Sequence, residues 1–423
     1  MKDRKAIKIF LCFLLSVCLI FSSVSCSPEA DYACSYFEEL GIPEFDKPKM
    51  KGIESVYRDY YVEDIPSAKT LATATAKIYF DSFHDRIDTS DKEKVTDCLI
   101  YSYIEVIGDK YSAYRSAEES ENYTADMSGK FYGIGVVVSY DYVAKTMTVN
   151  EVYKDGGAYN AGIMAGDVIV KIEGVSITEY DYQEAVYKIR GEIDTVVNLT
   201  VDRGGTLIDV SAKRGEVIEE SVSYALYDGG IGYIAISSFK GNTFEQFKEA
   251  VDYLEENGAA AIIYDLRSNP GGYLTAVVDV LSYIAPKGAT IVSFSNGYAP
   301  EEKDNNPHSV SLPSIVICNE STASAGELFT AAMRDFDDTF GYFDVTVIGE
   351  KTYGKGIMQN TLTFTDSSAI TLTVAYYNPP SGKNYHGEGI VPDIKVEKSQ
   401  TGDAQLSRAL TEITKIINES GDK

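Results

Sequence analysis

The feature that most constrains the fold is a regular alternation of strand-like and helix-like segments after Gly230. Short apolar runs such as "AAIIYDLRS", "SIVIC" and "VTVIGE" are separated by segments with helical spacing of apolar residues, as in 242–258 and 274–285. Nearly continuous apolar strands that alternate with helices are typical of parallel sheets covered by helices. The sequence therefore predicts a layered α/β domain over residues 217–400, with a C-terminal helix over 401–423.

Two regions of different character precede this domain. Residues 51–128 carry apolar side chains three and four positions apart, behind Ser, Thr or Asp residues that can cap helices. Residues 129–216 contain short β-branched runs separated by glycine turns, with one helical segment over 180–191. We therefore predict a helical N-terminal region followed by a small, mostly antiparallel domain.

The N-terminus has the pattern of a secretory signal. Basic residues including Lys5 and Lys8 precede an apolar run from Ile9 to Phe21, which is shorter than the ~18 residues expected of a membrane span. Cys26 follows this pattern and resembles a lipobox cysteine, although Ser23 stands where leucine is usual. We expect a signal peptide over 1–25, lipidation at Cys26 and a polar tether over 26–50. Ordinary cleavage without lipidation stays open, and either route places the protein outside the cytoplasm, anchored in the cell envelope or secreted.

The composition argues against several classes of partner and cofactor. The formal net charge is −26, which argues against nucleic acid and anionic lipid as partners. The cysteines beyond the signal are too sparse for a disulfide framework. His84, His308 and His386 lie far apart in the sequence and in no metal-binding motif. We therefore expect no metal and no cofactor.

Ser324 in "STASAGELFTAAMRD" has two interpretations. With Glu327 three residues later it forms the Ser-x-x-Glu capping box that opens many helices. It also follows the strand "SIVIC" and precedes a helix, as the nucleophile of a strand–turn–helix elbow does, although Thr322 stands where that motif has glycine. At a helix start the free N–H of Ala325 would lie beside the hydroxyl. Local sequence alone favours the cap.

Two further segments could complete a catalytic site. In "DLRSNPGGYL", the N–H of Gly271 or Gly272 could face a developing oxyanion, although a plain turn explains the glycines equally well. In "GEKTYGKGIMQ", Lys355 lies between glycines and could act as a base if burial lowered its pKa from about 10.4 to roughly 7 or 8. Gln359 lies four residues further on, and a bend would bring it close to Lys355.

Together these segments resemble the carboxyl-terminal processing peptidases, which are serine proteases with a Ser-Lys dyad and an inserted PDZ domain. The resemblance covers nearly all of residues 50–420 and rests on six motifs in the family's order, among them "NESTASAGELFTAAMRD", "VIGEKTYGKGIMQ" and "YYNPPSGKNYHGEGIVPDI". It implies a crotonase-like (ClpP/crotonase) protease core. Two departures are Gly326, where the family has serine, and a longer stretch between Asp335 and Val347; residues 303–310 look like an insertion.

The resemblance also assigns roles to residues. It makes Ser324 the nucleophile, Lys355 the general base and Gln359 the residue that supports the lysine. The oxyanion hole would be formed by N–H groups of Ala325 and of Gly271 or Gly272. The PDZ domain would bind a substrate's C-terminal carboxylate through consecutive backbone groups of Tyr132, Gly133, Ile134, Gly135 and Val136.

Arg190, at the end of the PDZ helix, has two interpretations. It would transmit the effect of tail binding from the PDZ domain to the protease core, or it is a surface arginine that ends a helix.

The expected function is that of an extracytoplasmic endopeptidase whose partners are the C-terminal tails of proteins. The alternative function is that of a catalytically silent PDZ scaffold, and a remote third function is that of an acyl-CoA enzyme on the same core fold. The oligomeric state stays open, and a homodimer is one possibility.

Overall fold

The computed structural model describes residues 28–154, 156–295, 301–303, 306–341 and 343–421. The predicted signal peptide and Cys26 lie outside these residues. The chain divides into two compact units. The larger unit comprises the chain up to Glu121, Val222–Phe239 and the chain from Thr243 onward, and the smaller unit comprises Asn122–Ser221 with Lys240–Asn242.

The N-terminal part of the larger unit is helical, as predicted. Its helices are α1 (Pro28–Glu39), α2 (Lys47–Tyr60), α3 (Ala68–Ser82) and α4 (Lys92–Ile107). The side chains of Asp46, Ser67 and Asp91 cap the last three by accepting backbone N–H groups. A short strand β1 (Ala113–Arg115) and helix α5 (Ala117–Ser128) follow.

The predicted tether over 26–50 is wrong for its described part. Residues 28–39 form α1, and Ala30, Ala33, Cys34 and Phe37 are buried on one face of it. These positions have the i, i+3, i+4, i+7 spacing of an amphipathic helix. The pattern is short and lies among polar residues and prolines, so the sequence did not indicate a helix. Packing against α2 and α3 stabilises α1.

The smaller unit is a small antiparallel domain, wider than the predicted 129–216. Its elements in chain order are β2 (Lys130–Gly133), β3 (Val136–Asp141), β4 (Thr146–Val152), α6 (Gly157–Asn160), β5 (Val168–Ile172), β6 (Val175–Ser176), α7 (Tyr182–Ile189), β7 (Val196–Arg203), β8 (Thr206–Lys213) and β9 (Gly215–Ile218). The main sheet has the order β3-β4-β5-β7-β8, with β6 on β5, and β2 pairs with β9. Strand β3 is therefore an edge strand of the described sheet.

The rest of the larger unit is the predicted layered α/β domain. Its elements in chain order are β10 (Val222–Tyr227), β11 (Ile231–Ile236), α8 (Thr243–Glu256), β12 (Ala261–Asp265), α9 (Leu274–Ile284), β13 (Thr290–Phe294), β14 (Glu302–Lys303), β15 (Ser314–Cys318), α10 (Ala325–Phe340), β16 (Val345–Gly349), β17 (Ile357–Thr363), β18 (Ala369–Asn378), β19 (Ile394–Lys395) and α11 (Ala404–Gly421). One sheet has the order β10-β11-β12-β15-β16-β19 and is parallel from β11 onward.

Alternating residues of the parallel strands enter two separate cores. Ile262, Tyr264 and Val316 pack with α8, α9 and α10, whereas Ile263 and Ile315 pack with α11. This alternation follows from the twofold repeat of a strand. A second, antiparallel sheet joins β1, β18, β13 and β14, with β17 on β18, and β18 also packs on the N-terminal helices. The mixed α/β class and the helical N-terminal region are thus confirmed. No described helix is both long and apolar enough to cross a membrane.

Candidate active site

Ser324 lies in a strained turn between the parallel strand β15 and helix α10. Its backbone has φ 53° and ψ −117°, a conformation that non-glycine residues rarely adopt. Neighbouring contacts hold the turn: the Ala323 N–H donates to the Asn269 carbonyl at 2.8 Å, and the Thr322 hydroxyl donates to the Leu266 carbonyl at 2.8 Å. Strain maintained in this way at a strand–helix junction is characteristic of functional sites.

The Asn269–Gly272 turn packs directly against Ser324. A Cβ on Gly271, whose φ is +101°, would lie 2.7 Å from the Ser324 Cβ and 2.9 Å from the Ala325 nitrogen. The Gly271 N–H already donates to Asn269 Oδ1 at 2.8 Å, whereas no described residue accepts the N–H of Gly272. Of the two candidate glycines, Gly272 is therefore the one with a backbone donor to offer a ligand.

Glu327 connects the Ser324 turn to the lysine loop. Its side chain is fully buried, and it accepts hydrogen bonds from the N–H groups of Ser324 (2.9 Å), Gly354 (2.6 Å) and Lys355 (2.7 Å) and from the Thr352 hydroxyl (2.5 Å). The Ser324 and Lys355 N–H groups share one carboxylate oxygen, Oε2. The structure therefore brings these two backbones together, although they are far apart in sequence.

Lys355 and Gln359 are in direct contact. Lys355 Nζ donates to Gln359 Oε1 at 2.7 Å, and the Gln359 amide donates to the Tyr111 carbonyl. Lys355 precedes β17, and a register shift between Met358 and Gln359 interrupts the regular pairing of that strand with β18. The sequence left open whether Lys355 and Gln359 approach each other, and their side chains are in contact.

The environment of Lys355 favours its neutral form. Burial lowers the pKa of the ammonium group below its ordinary value, and the Lys110 charge acts in the same direction. Asp109, Tyr353 and Glu327 oppose this effect by favouring the charged form. The net direction is the one that a lysine requires if it is to accept a proton near neutral pH.

Two buried tyrosines lie beside both segments. The Tyr377 hydroxyl donates to the Lys355 carbonyl at 3.1 Å. The single O–H of Tyr385 has two acceptors within reach, the Tyr377 oxygen at 3.2 Å and the Ser324 carbonyl at 3.4 Å. Burial raises the pKa of both phenols, so they remain protonated donors. The sequence analysis gave no role to these tyrosines or to Tyr111, and limited Glu327 to a helix cap.

The predicted peptide-binding residues belong to the smaller unit. Tyr132 and Gly133 end β2, Ile134 and Gly135 connect it to the edge strand β3, and Val136 begins that strand. No described residue accepts the N–H groups of Ile134 or Gly135. Within the same unit, Arg190 ends α7 and forms an ion pair with Asp126 at 3.6 Å.

One cluster of potential metal ligands occurs among the described residues. Ligand atoms of Asp252, Glu255 and His308 lie within 4.8 Å of one another. His308 Nε2 lies 2.9 Å from a Glu255 oxygen, while Asp252 pairs with Lys248. The sequence analysis missed this grouping because α8 and the loop before β15 are distant in the chain.

Comparisons with known proteins match a different family to each of the two units. The sequence profile described as peptidase family S41 matches residues 230–396, and the profile described as PDZ domain matches residues 148–203. The carboxy-terminal processing protease CtpA of Bacillus subtilis is 34% identical over 324 residues, covering 76% of this chain and 68% of that protein. A protein assigned as a CtpA-like serine protease of Staphylococcus haemolyticus is 33% identical over 311 residues, covering 73% of this chain and 61% of that protein.

The chain thus spans 61% and 68% of the lengths of these two relatives. Among solved structures, a candidate S41 protease from Bacteroides fragilis superposes with a TM-score of 0.50 at 15% sequence identity. That superposition covers 86% of this chain and 97% of the other. It concerns the fold alone.

Proposed function

Because the chain belongs to the carboxy-terminal processing serine peptidases of family S41, we propose that it is an endopeptidase in which Ser324 is the nucleophile and Lys355 the general base. The observation that carries the proposal is the shared Glu327 carboxylate, which holds the backbones of Ser324 and Lys355 together. Nucleophile and base must be fixed relative to each other, and a single rigid acceptor for both segments does this.

The proposed reaction begins with neutral Lys355. Its Nζ accepts the Ser324 hydroxyl proton as Oγ attacks the carbonyl carbon of the peptide bond. The oxyanion that forms accepts hydrogen bonds from the N–H groups of Ala325 and Gly272. Ala325 opens α10, so its N–H has no partner within the helix and lies at the positive end of the helix dipole.

The second half of the reaction reuses the same groups. Protonated Lys355 gives its proton to the leaving amine as the peptide C–N bond breaks, which leaves an acyl group on Ser324. Lys355 then takes a proton from water, the resulting hydroxide attacks the ester, and Ser324 leaves as a hydroxyl with that proton. Gln359 keeps the lysine nitrogen directed through its 2.7 Å contact.

The proposed substrates are proteins whose C-terminal tails bind the PDZ domain. The edge of β3 can add a substrate tail as a further strand. The N–H groups of Ile134 and Gly135, for which no described residue is an acceptor, suit a terminal carboxylate. Residues 132–136 would therefore bind the tail. Arg190 forms an ion pair with Asp126 within the smaller unit, which fits its interpretation as an arginine that ends a helix.

The proposed location is outside the cytoplasm, with attachment through the N-terminus. Support comes from the basic residues, the apolar run 9–21 and Cys26. Metabolic labelling with a radioactive fatty acid tests the attachment. Labelled wild-type protein and unlabelled Cys26→Ser would support it, whereas an unlabelled wild-type protein in the membrane-free fraction would refute lipidation.

Replacement of the nucleophile tests the catalytic proposal. Ser324→Ala should abolish cleavage of an unstructured test protein, and Lys355→Met should do the same. Ser321 lies in the same turn with an exposed side chain, and Lys351 is exposed in the same loop as Lys355. Ser321→Ala and Lys351→Met are therefore the matched controls and should retain activity. Cleavage by Ser324→Ala would show that the nucleophile is assigned wrongly.

A catalytically silent scaffold predicts a different result. Such a protein would bind tails but form no covalent intermediate. Intact-protein mass spectrometry after rapid acid quenching should detect an acyl-enzyme adduct on the wild type and none on Ser324→Ala. Tail binding without either an adduct or cleavage would favour the scaffold.

A further inference from the structure

Lys110 connects two aromatic residues at the edge of the candidate active site. It lies between α4 and β1, and its Nζ donates to the Tyr353 hydroxyl at 3.1 Å. The same nitrogen lies 4.7 Å from the centroid of the Tyr111 ring and 5.1 Å from that of Tyr353. These distances are within the range of cation–π contact. Lys110 therefore ties the chain segment of Tyr111 to the loop that carries Lys355.

Tyr111 is shared between Lys110 and Lys355. Lys355 Nζ lies 5.0 Å from the centroid of the same ring, and the Tyr111 carbonyl accepts the amide of Gln359. The side-chain nitrogens of two lysines thus lie within 5.0 Å of the centroid of one aromatic ring. An arrangement that fixes Tyr111 also fixes Gln359, which directs the lysine nitrogen.

We propose that Lys110 is a positioning residue that favours the neutral, proton-accepting form of Lys355. It does so by placing a positive charge beside the shared Tyr111 ring and by linking that ring to Tyr353. The proposal rests on the role of Lys355 as the general base. A neighbouring cation disfavours protonation of a lysine and is a known means of activating one.

Burial is the main cause that lowers the pKa of Lys355, and the positive charge of Lys110 acts in the same direction. Asp109, Tyr353 and Glu327 oppose both by favouring the protonated lysine. His386 lies edge-on to Tyr111 at 6.0 Å, and its pKa is lowered by burial first and then by Lys110. Lys110 thus acts on both Lys355 and His386, which lie beside the same ring.

The pH dependence of kcat/KM tests the proposal. Activity requires neutral Lys355, so it should rise with pH through the pKa of that lysine. Removing a positive neighbour raises this pKa, so Lys110→Met should move the midpoint of the acid limb upward by about half a pH unit, and Lys110→Glu by more. Lys110→Arg should return the midpoint to that of the wild type. A purely structural residue would lower the plateau without moving the midpoint.

Salt provides a second test. Lys110 is exposed, so ions should screen its charge. Salt also screens the opposing carboxylates, so the informative quantity is the difference between the two proteins. Between 0.05 and 0.5 M NaCl, the midpoint of the wild type should rise relative to that of Lys110→Met. Lys287→Met is the matched control, since Lys287 is exposed and is not among the groups that act on Lys355. It should leave the midpoint unchanged.

A labelling experiment separates this proposal from the proposed function. In full-length Ser324→Ala protein, with and without Lys110→Met, the rate of Lys355 acetylation by acetic anhydride can be followed against pH by peptide mass spectrometry. The titration midpoint should move upward by the same half unit even if no substrate is ever cleaved. The proposal is overturned if Lys110→Met leaves the midpoint unchanged in both the kinetic and the labelling experiment.

Discussion

Glu327 has an unusual density of hydrogen bonds for a single side chain. Its two oxygens accept from three backbone N–H groups and one hydroxyl, and the group is fully buried. A carboxylate can accept at every lone pair, whereas an amide can accept at only one of its two terminal atoms. The surrounding donors therefore require a carboxylate at this position.

Glu327→Gln is predicted to lower both activity and stability. The amide nitrogen would face backbone N–H groups, leaving at least one buried donor unpaired at a cost of about 1–3 kcal/mol. We expect kcat/KM to fall at least 100-fold and the urea midpoint to decrease. Glu320→Gln is the control, because Glu320 is exposed in the preceding turn. Near-normal activity of Glu327→Gln would contradict the bridging role.

At the scale of elements, the sequence predicted those strands and helices whose apolar residues repeat at regular spacing. The strands and helices after Gly230 follow a local apolar pattern, and the glycine turn and the Ser324 helix start could be placed on it. Contacts that depend on distant segments could not be predicted in this way. The Tyr111 carbonyl that holds Gln359, and the Tyr377 hydroxyl on Lys355, come from chain segments more than 20 residues away. No local pattern indicates them.

Gly271→Ala is predicted to disrupt the junction of the Asn269–Gly272 turn with α10. The added methyl carbon would lie 2.7 Å from the Ser324 Cβ, and the φ of +101° is unfavourable for alanine. We expect a loss of activity of 100-fold or more, since both the proposed nucleophile Ser324 and the Ala325 N–H would be displaced. The measurement is kcat/KM on the unstructured test protein.

Gly258→Ala is the matched control for that substitution. Gly258 also has a positive φ, of +78°, but an added Cβ would have no atom within 4 Å. It should cost about 1–2 kcal/mol of stability through backbone strain alone and leave kcat/KM unchanged. Equal losses of activity in both variants would show that backbone strain, not the contact with Ser324, is the cause.

At the scale of the whole molecule, the N-terminal helices contribute a core of their own. Phe37 of α1 has 0% exposure and packs in the cluster that includes β18. Phe37→Ala should therefore destabilise the protein by about 3–5 kcal/mol, as large-to-small changes in cores do. Phe340→Ala removes the same atoms at a site that is 50% exposed and should cost less than about 1 kcal/mol. Urea unfolding followed by circular dichroism distinguishes the two, and similar midpoints would mean that α1 does not pack as described.

The division into two units predicts that tail binding can be measured apart from cleavage. In Ser324→Ala protein, a peptide with a free C-terminal carboxylate should bind at least 10-fold more tightly than the same peptide amidated at its C-terminus. The reason is that hydrogen bonds to a charged group contribute about 1.5–3 kcal/mol each, and the N–H groups of Ile134 and Gly135 have no described acceptor. Fluorescence anisotropy gives both affinities, and wild-type kcat/KM on proteins with the same two tails should differ in the same direction. Equal affinities would place tail recognition outside residues 132–136, and a difference in binding without one in cleavage would mean that capture of the tail does not limit the reaction.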